Sequence, residues 1–402
     1  MWNSSPKKRT KMGSPMPPDS GYRRPRLLVA GQDQFGYLTD SYQYVLHLRK
    51  EFDVTYIGWD YGLPPITLDG AAVRHIPRTG NKLVRYAAFL RGLLTEIRRG
   101  AFDVIILSHF WGAGIYPLLG LNRNYIMDVR TGYVRASNTL RWLFNRGILI
   151  DSLMFPHVTV ISASLGDYLH ISSRKAHVLP LGAEDLAIPP KRFDSMRLLY
   201  VGSLEFRHID RTVEGVARFM RENRGTLPIT YDIVGFGPPE VEDALRRQIA
   251  ASGCADLITF HGRVPYTALR PYLERTTIGI AFVPLVDHYQ CQPATKLFEY
   301  LLAGMPALAT STEENARVIT PANGVLIPDS AEGVYQGLHT LRNNLGSYTS
   351  AAIRASVEEY LWENIVAHNL RPYVLQLLSA RAAAPSTHHD DIVPVHTEKG
   401  VP

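Results

Sequence analysis

The sequence predicts an α/β protein of two Rossmann-like domains that face each other across a cleft. Three observations carry that expectation. Short apolar runs of buried-strand type alternate with stretches of helical pattern, as in a parallel sheet wound with helices. Pro and Gly break the alternation once, around Leu179–Lys191, and it then starts again. A length of 402 residues, 46% of them hydrophobic, is enough for two domains that each bury a core.

The elements follow in order. Arg26–Gly31 is an apolar run ending in Gly, and a helical pattern covers Ser41 to Arg49. The strand Asp53–Gly58, a helix over Asn81–Arg99 and the strand Asp103–Ser108 come next, then Tyr125–Val129 and His157–Ser162. After the break, Leu198–Val201 runs into Gly202, and Thr230–Gly235, Leu257–Phe260, Ile278–Val283, Ala307–Thr310 and Gly324–Ile327 supply further strands. Glu358–Leu378 reads as a closing helix with Tyr360 and Trp362 at its start. The expected divisions are therefore domains at 26–188 and 193–357, a closing helix at 358–379, and disordered tails at 1–25 and 380–402. In open α/β sheets ligands bind beyond the carboxyl ends of the strands, so the cleft is the expected site.

Composition excludes several classes. An ordinary apolar fraction and 21 Tyr rule out disorder across the chain. Cys254 and Cys291 are the only cysteines, which excludes a disulfide scaffold and suits a reduced, cytoplasmic protein. No apolar run reaches the roughly 18 residues of a membrane span, and the first residues lack the apolar core of a signal peptide. Net charge is +6, but residues 1–26 hold seven Lys and Arg against Asp19, a charge equal to the whole excess. Nucleic-acid binding would rest on that tail alone and is not expected. The rest of the first half keeps a mild basic bias toward phosphates or anionic surfaces.

Four strand-to-loop junctions in the second half carry chemistry. Gly202 ends a strand, with Arg207, His208 and Arg211 just beyond. Gly235 and Gly237 precede a helix, and Gly262 and Arg263 follow a strand. Pro293-Ala294-Thr295-Lys296 opens a helix that places Glu299 one turn in. Helix N-termini and glycine turns offer N–H groups to a diphosphate, Arg207 and Lys296 could neutralise it, and Glu299 could accept from a ribose diol. Taken singly, Gly235-x-Gly237 is equally an ordinary turn and Glu299 an ordinary helix residue; their order and spacing carry the weight.

Together the segments YVGSLEFRHIDRTVEGV, YDIVGFGPPEVEDALRRQI, LITFHGRVPYTALRPYLERTTIGIAFVPL and PATKLFEYLLAGMPALATSTEENARVI resemble the nucleotide-binding domain of retaining GT-B glycosyltransferases of the family 4, group 1 type. The resemblance covers residues 26–378, strongly in the second half and weakly in the first. It implies a donor-binding second domain, an acceptor-side first domain, and a closing helix that crosses back onto the first. Glu299 is then implied as ribose ligand, Arg207 stands where the family has a phosphate-binding Lys, and Gly262-Arg263-Val264 matches the stretch whose backbone reads the base. The loop from Gly31 through Gln34 to Gly36 resembles the one that reaches donor phosphates and acceptor. His109 and Arg130, at strand ends, face the same cleft, Arg130 as an acceptor-side or phosphate contact. Two positions depart from the pattern: Cys291 stands where an acid is usual, and Ser203 where an Arg follows the glycine.

The implied reaction transfers a glycosyl group from a nucleoside diphosphate sugar to a hydroxyl of a glycan or lipid-linked acceptor, with retention. Arg207, Lys296 and N–H groups near Thr295 and Gly31 would stabilise the leaving diphosphate, and neither metal nor other cofactor is implied. A cell-surface polysaccharide or glycolipid is the implied product class. The helix over Asn81–Arg99 interleaves basic and apolar residues, which suits either an ordinary half-buried helix or a face on anionic lipid at the inner side of a membrane. The departures leave open a non-catalytic scaffold, which would bind nucleotides weakly or not at all; a sugar-nucleotide-binding protein is a further alternative, and a sugar-nucleotide 2-epimerase shares the fold.

Overall fold

A computed structural model describes residues 23–119, 124–134 and 137–383. The first sheet takes β1 (Arg26–Ala30), β2 (Asp53–Asp60), β3 (Ala71–Pro77), β4 (Val104–Ser108), β5 (Asn124–Val129), β6 (His157–Val160) and β7 (Ala176–Val178) in the order β3-β2-β1-β4-β5-β6-β7. The second takes β8 (Met196–Ser203), β9 (Ile229–Phe236), β10 (Ile258–Gly262), β11 (Ile278–Ala281), β12 (Ala307–Thr310) and β13 (Gly324–Ile327) in the order β10-β9-β8-β11-β12-β13. Every pairing is parallel. The winding therefore reverses between β1 and β4 in one sheet, and between β8 and β11 in the other.

The strands are near-continuous apolar runs because helices cover both faces, and the two-residue period sorts their side chains. Leu27, Val29, Val104, Ile106 and Ile126 enter one core, while Leu28, Ala30, Ile105, Leu107 and Met127 enter the other. The first sheet carries α1 (Thr39–Leu48), α2 (Lys82–Gly100), α3 (Ile115–Leu118), α4 (Asn138–Met154) and α5 (Ala163–Tyr168). The second carries α6 (Ile209–Glu222), α7 (Pro239–Ala251), α8 (Arg270–Arg275), α9 (Asp287–Gln290), α10 (Thr295–Leu302), α11 (Glu313–Val318), α12 (Ala331–Asn343) and α13 (Ser350–Ala355). Helix α2 begins where Asn81 accepts from the N–H groups of Leu83 and Val84, and it buries Phe89, Leu93 and Ile97 at helical spacing. Most of its apolar face is thus spent on the core. Edge strand β3, short β7 and helix α4 were not among the elements expected.

The closing segment is not one helix. A 3₁₀ turn (Glu358–Tyr360), α14 (Trp362–Ile365), a π turn (Val366–Leu370) and α15 (Arg371–Ala383) follow one another. The break falls at Leu361, whose backbone is extended. There the chain meets the inter-domain linker: Ala183 N–H donates to Tyr360 O at 2.8 Å, and Trp362 N–H to Ala183 O at 3.1 Å. Beyond it Trp362, Ile365, Val366, Leu370, Val374 and Leu377 join Leu27 and Val29 in one core, so the segment does cross back onto the first domain. Helix α15 continues to Ala383, past the start expected for the C-terminal tail; the remainder of both tails lies outside the described residues.

Candidate functional site

A cavity of about 390 Å³ opens between the two sheets. Its second-domain wall is built at the sheet's point of reversal, from Tyr200–Ser203 at the end of β8 and Ile280–Val283 at and after the end of β11. Neighbouring strands whose connections leave in opposite directions open a crevice at that point. Arg207, Tyr289 and residues 292–296 complete this wall, and Asp40, Arg130, Thr131 and Val134 face it from the first domain.

The turn after β8 is shaped by its own residues. Tyr200 Oη donates to Ser203 O at 2.6 Å, and Ser203 Oγ accepts from Glu205 N–H at 3.2 Å. A Cβ at Gly202 would lie 2.9 Å from the Tyr200 hydroxyl, so a larger residue there would have to displace that ring from its bond to Ser203 O. Phe206 and His208, on either side of Arg207, hold left-handed backbone at φ 58° and 54°, a conformation that costs non-glycine residues energy. Between them the Arg207 guanidinium stacks 4.2 Å over the Tyr289 ring and meets no carboxylate among the described residues.

Thr295 and Lys296 open α10 at the cavity wall, and no acid occupies the first turn. Lys296 Nζ lies 2.8 and 2.6 Å from the two Glu299 carboxylate oxygens. Burial raises the Glu299 pKa and Lys296 opposes that rise. The structure places Glu299 behind Lys296 rather than on the cavity wall, so its carboxylate faces an ammonium where a ribose was expected.

Several other expected residues are spent on structure. Gln34 is buried; its amide donates to Leu63 O at 2.7 Å, and its oxygen accepts from Tyr61 and Leu63 N–H. That engagement pins the β2–β3 connection. His109 pairs with Asp151 of α4 at 3.2 Å and is not on the cavity wall. Arg130 is on the wall, but it donates to Asp40 at 2.8 Å, to Leu179 O at 2.7 Å and to Pro180 O at 3.2 Å. It clamps the start of α1 to the inter-domain linker. Gly31, Gly235, Gly237, Gly262, Arg263 and Val264 also lie off the wall. Gly235 lets β8 and β9 approach, since a Cβ would sit 2.3 Å from Gly202 O, and Gly262 holds φ +71°. Arg263 stacks 4.2 Å over Phe236 and Val264 packs against the second core.

Cys291 is 3% exposed and joins the core of the first domain although it belongs to the second. Its carbonyl accepts from Ser162 Oγ at 2.8 Å, and burial pushes its thiol up to about 12. The position of the expected acid is therefore an apolar contact between domains. Sequence reasoning did not find Tyr289, Gln292, Asp40 or Thr131. Thr131 Oγ1 donates to Gln292 Oε1 at 2.6 Å across the cleft, a contact between residues 161 positions apart that no local pattern signals.

Residues 195–344 match the family model described as Glycosyl transferases group 1. No curated protein matches the chain. Among solved structures, sucrose-phosphate synthase from Thermosynechococcus elongatus is similar at TM-score 0.69 and 16% identity, covering 89% of this chain and 100% of that one. The lipopolysaccharide outer core galactosyltransferase WaaB superposes at TM-score 0.63 with 14% identity, covering 87% and 99%. Anabaena Alr3699/HepE in complex with UDP-glucose gives TM-score 0.65 and 11% identity, covering 88% and 99%. The fold is GT-B. Among the described residues no helix is long and apolar enough to cross a membrane.

Proposed function

We propose that this chain, which carries a group 1 glycosyltransferase domain in a GT-B fold, moves a hexosyl group from a nucleoside diphosphate sugar to a hydroxyl acceptor with retention at the anomeric carbon. The observation that carries this reading is the convergence of Arg207, from the turn after β8, and Lys296, from the start of α10, on one cavity at the β8/β11 reversal. Neighbours of the same fold that hold UDP and UDP-glucose support a nucleotide-sugar donor.

In the proposed step the bond from anomeric carbon to diphosphate oxygen breaks, the acceptor oxygen bonds to the same face, and its proton passes to the leaving phosphate. Charge grows on the diphosphate as the bond stretches, so groups that bind the departing anion better than the intact donor lower the barrier. Arg207 would bring a full positive charge there, because no carboxylate shares it. Lys296 brings a charge partly balanced by Glu299, together with the N–H groups that open α10. The pair fixes the ammonium in place, and Glu299 would reach a ribose only by sharing or releasing it. No metal ion is required in this scheme. A glycan or lipid-linked acceptor would enter on the side of Asp40 and Thr131, for a polysaccharide or glycolipid made at the inner face of a membrane.

Calorimetry with UDP and GDP tests the reading, and the anomeric configuration of the turnover product, followed by NMR, tests retention. Arg207→Ala should weaken diphosphate binding by about tenfold or more, the worth of a charge-assisted contact. If neither nucleotide binds, or if Arg207→Ala and Lys296→Ala bind as the wild type does, the site is wrongly assigned. Nucleotide binding without turnover of any sugar nucleotide would favour a sugar-nucleotide-binding protein, whereas the non-catalytic scaffold to which Cys291 and Ser203 point would bind nucleotides weakly or not at all.

A further inference from the structure

Helix α4 is apolar on the side that faces away from the protein. Ile148, Asp151 and Ser152 are buried, yet Trp142 is 60%, Ile150 57% and Leu153 62% exposed. With Leu143 and Arg146 these residues form one stripe at helical spacing. A helix apolar on both sides belongs in a core or against another apolar phase. The stripe does not stand alone. Trp111, itself 45% exposed, packs edge-on against Phe144 of α4 at 5.2 Å, and α3 adds exposed Ile115 and Leu118 beside it. Tyr86 of α2 donates to the Trp111 carbonyl, which brings exposed Leu83, one turn before Tyr86, onto the same side of the domain. Isolated apolar residues on a surface are ordinary, but a continuous group of this size marks an interaction site.

Charge decides what covers it. From Val104 to Gly166 the chain holds two acids, Asp128 and Asp151, and both are buried. Arg146 rises from α4 within the apolar stripe, its guanidinium 5.6 Å from the Trp142 ring, and Lys82 stands next to Leu83. Beside them a groove of about 330 Å³ is lined by Arg141, Trp142, Arg146 and Tyr168, with Asp287 on its second-domain side. A second copy of the chain is a poor occupant, because a two-fold contact sets a patch against itself and would bring these cations together. Tryptophan and aliphatic side chains beside arginine and lysine, on a stripe that itself carries no acid, match the boundary between acyl chains and anionic headgroups; exposed Asp167 and Asp287 stand at the margin of the groove rather than on the stripe.

We infer that the α3–α4 face, with Trp111 and the start of α2, docks this protein on an anionic phospholipid bilayer. Helix α4 starts a few residues after Thr131 on the cleft wall, so a bilayer against it lies beside the acceptor side of the cleft. The use of this face to admit a lipid-linked acceptor rests on the transferase reading above; the docking itself does not.

The test is flotation of the full chain with vesicles of phosphatidylcholine, with and without phosphatidylglycerol, at low and high salt, alongside UDP calorimetry. The wild type should float with the anionic vesicles, and less so as salt rises. Trp142→Ser combined with Leu153→Ser should cut binding by about tenfold or more through lost apolar burial. Arg146→Gln should cut it about fivefold, the effect of one charge near the surface. Both changes lie on an exposed face, and an unchanged thermal midpoint verifies folding. Absence of flotation in a wild type that binds UDP overturns the docking and leaves the transferase reading standing. Flotation without UDP binding does the reverse. Binding that survives both changes but is lost when Lys7, Lys8, Arg9 and Lys11 are replaced by Ser assigns it to the tail and overturns the inference. So does a lipid-free dimer that the Trp142→Ser, Leu153→Ser protein no longer forms.

Discussion

Cys291 shows how one side chain separates position from environment. The family resemblance of HYQCQPATKLFE implies an acid at this place, but the chain buries it between its domains against Ser162. A carboxylate there would lose its water without gaining a partner, so Cys291→Asp should destabilise the fold by at least about 3 kcal/mol and should not improve nucleotide binding. Urea denaturation beside calorimetry measures both; an acid tolerated without cost would mean that the position opens to the cavity. The thiolate is the reactive form of cysteine, and burial pushes this thiol up to about 12. Cys291, and Cys254, which is also raised by burial, should therefore resist iodoacetamide near neutral pH in the native protein and react once it is unfolded. Gln34 carries the same lesson. Its place after the first strand was legible, whereas its engagement with Tyr61 and Leu63 depends on a connection nearly thirty residues away.

Elements whose two faces are both covered were legible, because their strands are unbroken apolar runs between glycine turns. β1, β4 and β8 are of that kind, and they set both sheets and both points of reversal. β3 was not legible: it alternates as a half-buried edge strand and ends in Pro77, so it lacks the apolar run. α4 was missed for the opposite reason, since an exposed apolar face leaves no amphipathic contrast to read. The closing segment shows how packing overrides pattern. Its helical period is real, but the backbone breaks at Leu361 to let Trp362 settle on Gly182 and the edge of Tyr44, at 6.0 Å between ring centroids. A Cβ on Gly182 would fall 2.4 Å from the indole, so the linker passes there only as glycine. Trp362→Ala should cost about 3–5 kcal/mol as a core cavity, and Gly182→Ala should also destabilise, by displacing the same ring. Chemical denaturation of the two variants checks this; a neutral Gly182→Ala would show that the crossover is not seated as described.

The two domains are joined by more than the peptide chain, and the linker is where their contacts divide. Glu184 accepts from Gln43 of α1 at 2.7 Å, holding the linker to the first domain. Its neighbour Asp185 takes both Arg354 nitrogens, at 3.1 and 2.6 Å, holding it to α13 of the second. Arg354 also donates to Leu302 O at the end of α10, the helix that brings Lys296 to the cavity. These consecutive carboxylates thus tie α10 of the cavity wall and the first domain to one short segment, and that tie can be read by titration. Hydrogen bonds from Arg354 hold the Asp185 carboxyl below its ordinary range. A carboxylate lowered on folding adds stability that is fully present above its unfolded value, about 4, and is lost as the pH falls through its lower folded value. The pair is partly exposed, with 46% of the Asp185 side chain open to solvent, so screening limits it to roughly 0.5 kcal/mol. Asp185→Asn should then be less stable than the wild type by about that amount at neutral pH, and the two urea midpoints should converge as the solution is acidified below the usual carboxylate range. A gap that stayed constant or widened on acidification would place the stabilisation in packing rather than charge. A gap that closed while UDP affinity fell in the variant at neutral pH would show that the linker tie also sets the cavity wall at α10.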